Sequence, residues 1–305
     1  MLAYTLKRLG LAALVALTVS AASFALLYLT GDPATAIVGP SGTDQDIANI
    51  RRLYGFDRPI VLQYLDWIWR ALQGDLGKSF FLKIPVRDVL FDRLPVTMGL
   101  GLCAITFALV LAIPLGVLAA VKPNSTIDRF AMVLSVVGQA LPSFWFAIIL
   151  IVVFSVIFPI LPSSGSDGWQ NFVLPTIVLG YYATPAIMRL TRSGMIEVLD
   201  SDYIRTARAK GLYRGHILFK HALRNAIIPV VSLAAAQFGF MLAGSVVVES
   251  VFALHGAGRL AWQSIIRGDL PTVQAVILTF SLTYVVLTLC ADLLNAWLDP
   301  RIRLG

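Results

Sequence analysis

Long apolar stretches without a single charged residue dominate this chain. Six of them contain no Asp, Glu, Lys or Arg, and they lie at residues 9–29, 96–121, 130–161, 172–188, 226–248 and 270–291. A helix needs about 20 apolar residues to cross roughly 30 Å of hydrocarbon. The runs are continuous rather than alternating, which favours helices over a β-barrel as the structure that satisfies its backbone in lipid. The pattern predicts an all-α membrane protein with six transmembrane helices.

The predicted transmembrane helices divide the chain into named segments. The helices are TM1 at 9–29, TM2 at 96–121, TM3 at 130–158, TM4 at 172–188, TM5 at 226–248 and TM6 at 270–291. The other segments are an N-terminus at 1–8, an insertion at 30–95, a basic loop at 189–225, a loop at 249–269 and a C-terminus at 292–305. A cleaved signal peptide is the alternative for TM1, because Lys7 and Arg8 precede it. Its uncharged run exceeds the usual core of about 7 to 15 residues, which favours a retained helix.

Composition and charge agree with a multi-pass membrane protein. The chain is 58% hydrophobic and 13% charged, and its net charge is +7. An average soluble domain has about 45–50% apolar and about 25% charged residues. Eight Lys and Arg residues lie between Arg189 and Arg224, whereas the short loops on the opposite side hold Arg259 and Arg267. Short cytoplasmic loops carry the excess of Lys and Arg, so both termini are predicted to be cytoplasmic.

The insertion at 30–95 has its own helical pattern. Arg58-Pro59 is a start signal and Gly74 a stop signal. Apolar and aromatic residues recur at near-helical spacing between them: Ile60, Leu62, Tyr64, Leu65, Trp67, Ile68 and Leu72. The pattern predicts a small extracytoplasmic helical cap that packs on the membrane part or on a partner; a solvated loop is the alternative.

The basic loop contains the stretch "DYIRTARAKGLYRGHILFKHALRN" at 202–225. Asp200-Ser201 is suited to cap a helix starting near Asp202, and Gly211 to end it in a left-handed conformation. A second helix is predicted from Leu212 into TM5, lying along the membrane before it turns in.

Tyr203, Ile204 and Ala207 share one face of the first helix, and Arg205 and Arg208 flank that face. Three interpretations compete for this patch: anionic lipid, nucleic acid and a protein partner. Lipid binding is physically easy, and nucleic-acid binding is not expected at the inner face of a six-span protein. A capped, exposed helix is best explained by docking of a cytoplasmic protein whose groove takes the apolar patch.

Several stretches make the chain resemble permease subunits of ATP-binding cassette (ABC) importers of the dipeptide, oligopeptide and nickel type. They cover nearly the whole chain in order: "TGDPA" at 30–34, "GFDRPIVLQY" at 55–64, "QGDLGKS" at 73–79, "RLPVT" at 93–97, "RLTRSGMIEVLDSDYIRTARAKGL" at 189–212, "HALRNAIIPVV" at 221–231, "VVVESVFALHGAGRLAWQSI" at 246–265 and "DLLNAWLDPRIRLG" at 292–305. There is one departure. The general importer signature begins Glu-Ala-Ala six residues before its glycine, whereas Arg205-Thr206-Ala207 stands there before Gly211.

The resemblance implies the type I importer permease fold, a location in the bacterial inner membrane and a set of partners. These are a second, similar permease subunit, two cytoplasmic ATPase subunits that bind ATP and Mg, a solute-binding protein on the outer side, and membrane lipid. The chain contains no GxxxxGK[ST] sequence, so ATP hydrolysis is expected in the partners rather than in this chain. By resemblance, the residues that couple to the ATPases are Tyr203, Ile204, Thr206, Ala207, Lys210, Gly211 and Leu212. Some of them could instead only stabilise the loop.

Polar residues within apolar runs are candidates for the translocation path. "GQALPSFW" places Gln139 and Ser143 beside the helix breaker Pro142, and Gln237 lies in TM5. Each could equally form an interhelical hydrogen bond. Glu249, at the outer end of TM5, could gate the path or attract a peptide ammonium group, or it could reach out to water.

The remaining candidate groups point to structural roles. Asp292 is expected to pair with Arg301 or Arg303, and Cys103 and Cys290 to be buried apolar residues. His216, His221 and His255 form no short pair with one another or with an acidic residue, so no metal site is expected.

The cargo implied by the resemblance is a di- or oligopeptide, with glutathione and nickel complexes as alternatives. A stand-alone secondary transporter is the alternative of a different class. It would need charged groups within the spans or an internal repeat, and neither is found. An intramembrane enzyme would need a nucleophile and base or a metal cluster at membrane depth, and the sequence offers neither.

Overall fold

The computed structural model describes residues 2–29, 31–39 and 42–298, and its regular elements are helices. Their bounds are α1 Leu2–Leu29, α2 Pro33–Val38, α3 Asp44–Tyr54, α4 Ile60–Leu72, α5 Val86–Val121, α6 Thr126–Ala140, α7 Ser143–Ile151, α8 Gln170–Leu199, α9 Asp202–Ala209, α10 Arg214–His216, α11 Leu223–Ala226, α12 Ile228–Val251, α13 Ala257–Ile266 and α14 Leu270–Leu298. Two π-helical turns, Val152–Ile157 and Ile217–Ala222, follow α7 and α10.

Five helices in the described part of the chain are long and apolar enough to cross a membrane: Thr5–Ala25 of α1, then α5, α8, α12 and α14. The all-α prediction is therefore confirmed. The chain has two distinct ends. The insertion end carries α2, α3 and α4, and the basic end carries residues 200–226.

The third predicted span is not a continuous helix. It is divided into α6 and α7, and Leu141 between them is extended, with φ −84° and ψ 124°. Pro142 has no N–H to donate, and its ring excludes the helical conformation from the preceding residue, so the helix must end there. The apolar part after the break, Ser143–Ile157, is shorter than a full crossing. The span predicted at 130–158 therefore corresponds to two helices divided at Pro142, the residue identified from the sequence as a helix breaker.

Close packing of α5 against α8 forms the centre of the bundle. Gly180 lies on α8 where a Cβ atom would come within 2.5 Å of the Ala104 carbonyl oxygen of α5. Gly116 on α5 faces α8 in the same way, because a Cβ atom added there would lie 2.8 Å from the Met188 carbonyl oxygen. Glycines let helix backbones approach this closely, and van der Waals packing at such contacts drives association in lipid. Leu100, Leu174 and other buried apolar residues surround this crossing.

Several segment boundaries differ from those predicted. Helix α8 continues to Leu199, so residues 189–199 belong to a long helix rather than to a loop. Helix α5 begins at Val86, directly after Pro85. No proline stands between Arg189 and Leu199 to end α8, and α5 continues through Pro95, so both helices extend beyond their apolar runs into polar residues.

The prediction for Asp292 lies partly outside the described residues, and the prediction for the two cysteines is corrected. Asp292 on α14 pairs with Arg8 on α1, at 2.9 Å; Arg301 and Arg303 lie outside the described residues. The pair joins the first and last helices at the basic end. Cys103 and Cys290 are exposed on this chain rather than buried.

The insertion folds into three helices against the ends of α1 and α14. The predicted helix from Ile60 to Leu72 is confirmed as α4. The Ser20 and Tyr64 hydroxyls are hydrogen-bonded at 2.8 Å, and the rings of Phe24 and Trp67 lie 5.7 Å apart. These contacts fix α4 on α1, so the insertion is a packed part of the molecule.

Candidate functional site

A cavity of about 420 Å³ opens at the break between α6 and α7. Three of the four predicted path residues, Gln139, Ser143 and Gln237, line it together with Pro142. Gln139 comes from the end of α6, Ser143 from the start of α7 and Gln237 from α12. The helix break that Pro142 imposes thus brings polar groups from separate helices to one place.

The rest of the cavity wall is mostly apolar. Tyr182 of α8 and Phe240 of α12 line it, and both are exposed on the isolated chain. Gly244 and Val248 continue the wall along α12 toward the insertion end. A few polar groups on an apolar wall are typical of sites that bind small molecules.

Arg189 brings a positive charge to the edge of this cavity. Its Nη1 donates to the Gln139 side-chain oxygen over 3.2 Å. Arg189 lies on α8, and the bond crosses from α8 to α6. No local pattern pairs these two residues, which are 50 positions apart.

Glu249 belongs to α12 but does not line the cavity, and its side chain is fully buried. Its Oε1 accepts from the Thr97 hydroxyl at 2.7 Å, and its Oε2 accepts from the Arg259 backbone N–H at 2.8 Å. Thr97 in turn accepts from the Ala257 N–H at 2.8 Å. Both N–H groups belong to the first turn of α13, where helix donors lack internal partners.

Glu249 therefore caps α13 and ties it to α5 and α12. Neither of its predicted roles is supported by this geometry, because the carboxylate faces neither the cavity nor water. The sequence pattern missed Thr97, whose only signal is its position in "RLPVT" at 93–97. Its partner lies 152 residues away.

The basic end carries α9, the helix predicted from Asp202. Gly211 follows it with φ +73°, as predicted. Ser201 is the N-cap residue of α9, as predicted, but its hydroxyl donates to the Val198 carbonyl at 2.6 Å and makes no capping hydrogen bond to the helix. The second helix begins at Arg214 rather than at Leu212.

Two of the seven predicted coupling residues face the interior of the chain. Ile204 and Ala207 are buried, in one cluster with Val117 of α5, Met195 of α8 and Ile217. The predicted apolar patch is thus covered by this chain itself, so it is not available to a partner's groove. Five predicted residues remain exposed: Tyr203, Thr206, Lys210, Gly211 and Leu212.

Asp128 and Arg192 fasten α6 to α8 with a two-point ion pair. Arg192 Nε and Nη2 donate to the two carboxylate oxygens over 2.6 and 2.7 Å. Asp128 lies in the first turn of α6, before the apolar run, and also accepts from the Asn124 N–H. The Arg192 guanidinium lowers the pKa of Asp128, and burial opposes this shift.

The histidines do not form a recognisable centre. The rings of His216 and His221 are 5.4 Å apart, and His255 Nδ1 lies 3.0 Å from Arg93 Nη1. Within residues 2–29, 31–39 and 42–298, no group of three or more His, Cys, Asp or Glu could hold a metal ion.

The fold matches that of a chain in two solved structures of an ABC transporter. Two inward-facing structures of the MetNI methionine ABC transporter match it, with TM-scores of 0.57 and 0.55 and sequence identities of 20% and 18%. In each case the match covers 69% of this chain and 96% of the other. At this identity the likeness establishes the fold.

Sequence comparisons define the family. Residues 112–304 match the model described as binding-protein-dependent transport system inner membrane component, and residues 1–101 match its N-terminal counterpart. The chain is 41% identical over 304 residues to the glutathione transport system permease protein GsiC of Escherichia coli O6:H1. It is 40% identical to the proteins of the same name from Salmonella typhimurium and Escherichia coli K12. Each alignment covers 99% of both chains.

The chain therefore belongs to the family of binding-protein-dependent transport system inner membrane components. It is a permease subunit of an ABC importer and a multi-pass protein of the inner membrane.

Proposed function

We propose that this permease carries short peptides across the inner membrane through the cavity at the α6–α7 break. The observation that carries the proposal is the convergence of Gln139, Ser143 and Gln237 on one mostly apolar wall. Amide and hydroxyl groups hydrogen-bond to peptide groups without requiring a fixed charge. Such a wall suits a cargo of variable side chains.

The named relatives support the peptide class. GsiC proteins are called glutathione permeases, and glutathione is a tripeptide. Arg189 beside Gln139 would favour a cargo with an extra carboxylate, as glutathione has, so glutathione is the specific second candidate. Nickel complexes have no such support from the described residues.

The insertion end is assigned to the outside and the basic end to the cytoplasm, following the distribution of Lys and Arg. The sixth crossing is then made by α6 and α7 together, with the cavity at their junction. Irregular backbone at membrane depth is tolerated where it is buried in protein or lines a water-filled cavity. A second permease subunit would close the open side of the cavity, and a solute-binding protein would deliver cargo at the insertion end.

Two cytoplasmic ATPases would supply the energy and press on the exposed surface of α9. Tyr203, Thr206 and Lys210 lie on that surface. Beneath it, Ile204 packs with Val117 of α5 and Met195 of α8. A push on α9 would therefore reach the two central helices through packed side chains, as a rigid-body movement rather than as bending of a loop.

Uptake by proteoliposomes that contain the complete complex tests the proposal. Labelled dipeptide and labelled glutathione are offered with the binding protein present, with and without ATP inside. We expect ATP-dependent uptake of peptide, reduced at least tenfold by Gln139→Leu together with Gln237→Leu. Ala243→Leu, on α12 but away from the cavity lining, is the matched control. Uptake of only a metal or a sugar, or uptake without ATP, would refute the proposal.

A further inference from the structure

A second cavity, of about 430 Å³, lies in the insertion, away from the α6–α7 break. It is bounded by the turn after α3, by α4, by residues 75–80 and by the first turn of α14. Its volume falls within the range of about 300–1,000 Å³ of small-molecule sites. It shares no lining residue with the cavity at the break.

The walls of this insertion cavity are aromatic and held in place. Tyr54 stacks on Phe56, with centroids 5.7 Å apart and an interplanar angle of 11°, and meets the edge of Phe80 at 6.1 Å. On the other side, Trp67 is packed against the buried Phe24. Because these rings fix one another, the cavity is formed before any ligand arrives.

Gln274 places a hydrogen-bond acceptor in the cavity. This side chain is only 4% exposed, and its Nε2 donates to the backbone carbonyls of Ser23 and Phe24. Within the described residues its Oε1 accepts no hydrogen bond, and Gln274 lines the cavity. An acceptor without a partner on the wall of a cavity favours a ligand that brings an N–H group.

The charged residues around the cavity are partly unpaired. Arg58 is bonded to Asp66 at 2.7 Å. Arg70 and Lys78 form no ion pair within the described residues, and both line the cavity. Asp75 accepts from the Gly77 N–H at 2.9 Å and has no cationic partner among the described residues. Arg70 Nε donates to the Asp66 backbone carbonyl over 3.4 Å. The cavity therefore offers two cations that lack an ion-pair partner among the described residues, together with acceptor oxygens, on one aromatic surface.

We propose that the insertion cavity binds a short peptide with free termini. The peptide carboxylate would meet Arg70 and Lys78, its ammonium group would meet Gln274 Oε1 and Asp75, and an apolar side chain would lie on the aromatic wall. The choice of a peptide, rather than another zwitterion, rests on the proposed function, but the site itself does not. With the insertion outside, the cavity is a capture site on the permease, upstream of the path.

Binding to the complete transporter complex in nanodiscs, without the solute-binding protein, tests this site. The probe is the dipeptide Ala-Phe, with its N-acetyl and C-amide forms, measured by calorimetry. We expect saturable binding, weakened at least tenfold by either cap and by Arg70→Gln with Lys78→Gln. Arg52→Gln, an exposed cation on α3 outside the cavity lining, should leave the affinity unchanged. Both targeted cations are exposed, so the variants should unfold at the wild-type temperature.

Two results would overturn the site without affecting transport. The first is binding of Ala-Phe that is lost in Gln139→Leu with Gln237→Leu but kept in Arg70→Gln with Lys78→Gln. That result would place the peptide in the cavity at the helix break. The second is binding of glycerophosphoethanolamine with no binding of Ala-Phe, which would make the cavity a lipid headgroup site. Conversely, wild-type binding of Ala-Phe without any peptide uptake would refute the proposed function and leave this site standing.

Discussion

Thr97 and Glu249, 152 residues apart, are joined by a 2.7 Å hydrogen bond between fully buried side chains. The Thr97 hydroxyl donates to Glu249 and accepts from the first turn of α13, so one contact connects α5, α12 and α13. On the same helix α12, Gly244 and Val248 line the cavity at the helix break. The hydrogen bonds of Glu249 and Thr97 therefore hold α12, which forms part of the cavity wall, against α5 and α13 at the insertion end.

Removal of the Glu249 carboxylate should destabilise the permease. Glu249→Ala leaves the Thr97 hydroxyl and the Arg259 N–H buried without an acceptor, at a cost of about 1–3 kcal/mol for each unmet group. Glu249→Gln keeps an acceptor oxygen and should cost less. Thermal unfolding of the purified complex measures both effects, with the exposed Glu197→Ala as control. Equal unfolding temperatures for Glu249→Ala and Glu197→Ala would contradict the capping role.

The α5–α8 crossing should tolerate no added methyl group at Gly180. Gly180→Ala forces a Cβ onto the Ala104 carbonyl, and overpacking of this kind typically costs about 1–3 kcal/mol. Gly99→Ala is the matched control, because a Cβ at Gly99 would have nothing within 4 Å. Gly180→Ala should therefore unfold at a lower temperature than Gly99→Ala. If the two variants have the same stability, the backbones do not approach as closely as described.

Loss of the Arg192 guanidinium should release α6 from α8. Arg192→Gln leaves the buried Asp128 carboxylate without its cation, and roughly 2 kcal/mol of stability should be lost at neutral pH. The exposed pair of Arg205 and Asp202 supplies the control, Arg205→Gln, which should change stability by less than about 1 kcal/mol.

The same ion pair predicts a pH dependence with a defined sign. The pKa of Asp128 is lowered in the folded protein, so its contribution to stability is present above the ordinary aspartate pKa. That contribution is lost as the pH falls through the lowered value. The stability difference between wild type and Asp128→Asn should therefore shrink as the pH is reduced below about 4. A difference that grows on acidification would show that the carboxylate is not held in its charged form.

Asp269 should hold the loop after Gly77 against the start of α14. Its carboxylate accepts from the Ser79 hydroxyl at 2.5 Å and from the Phe80 N–H at 2.8 Å. Asp269→Ala should free this loop and speed tryptic cleavage after Lys78 and Lys83 at least tenfold. Asp88→Ala, an exposed carboxylate on α5, should not. Slow cleavage in both variants would mean that other contacts hold the loop.

Negative charge introduced on the exposed face of α9 and at Lys210, which follows it, should separate the permease from its ATPases. Thr206→Glu with Lys210→Glu should reduce co-purification of the ATPase subunits at least tenfold without changing the unfolding temperature. Lys220→Glu alters an exposed cation beyond α9 and distinguishes partner docking from lipid binding. If Lys220→Glu has the same effect as the α9 variant, charge attraction to lipid explains the basic end better than docking does.

Local patterns predicted much of the fold, because each depends on residues close in sequence. The helix ending at Gly211 and the helix from Ile60 to Leu72 follow from caps and spacing. The sequence indicates a helix breaker at Pro142 beside polar groups, but the apolar run is long enough for a single membrane span, so the complete break is not predicted. Hydropathy reports composition, whereas the lost N–H at Pro142 and the extended Leu141 decide the geometry.

Long-range partners could not be predicted from the sequence alone. Ile204 and Ala207 form an apolar stripe that looks the same whether it faces a partner or the chain itself. Only the positions of α5 and α8 decide between the two. The same holds for the pair of Asp292 with Arg8 of the first helix, which lies 284 positions away in the sequence.

Blocking of the cavity during transport tests the central claim most directly. Cys103 and Cys290 are exposed, so both are first replaced by Ala, and Gln237→Cys or Ala243→Cys is then introduced. A bulky thiol reagent is applied to proteoliposomes that import labelled dipeptide with ATP. We predict that modification at position 237 abolishes uptake, that saturating peptide slows the modification, and that modification at position 243 leaves uptake intact. Undiminished uptake after complete modification at position 237 would show that peptides cross elsewhere.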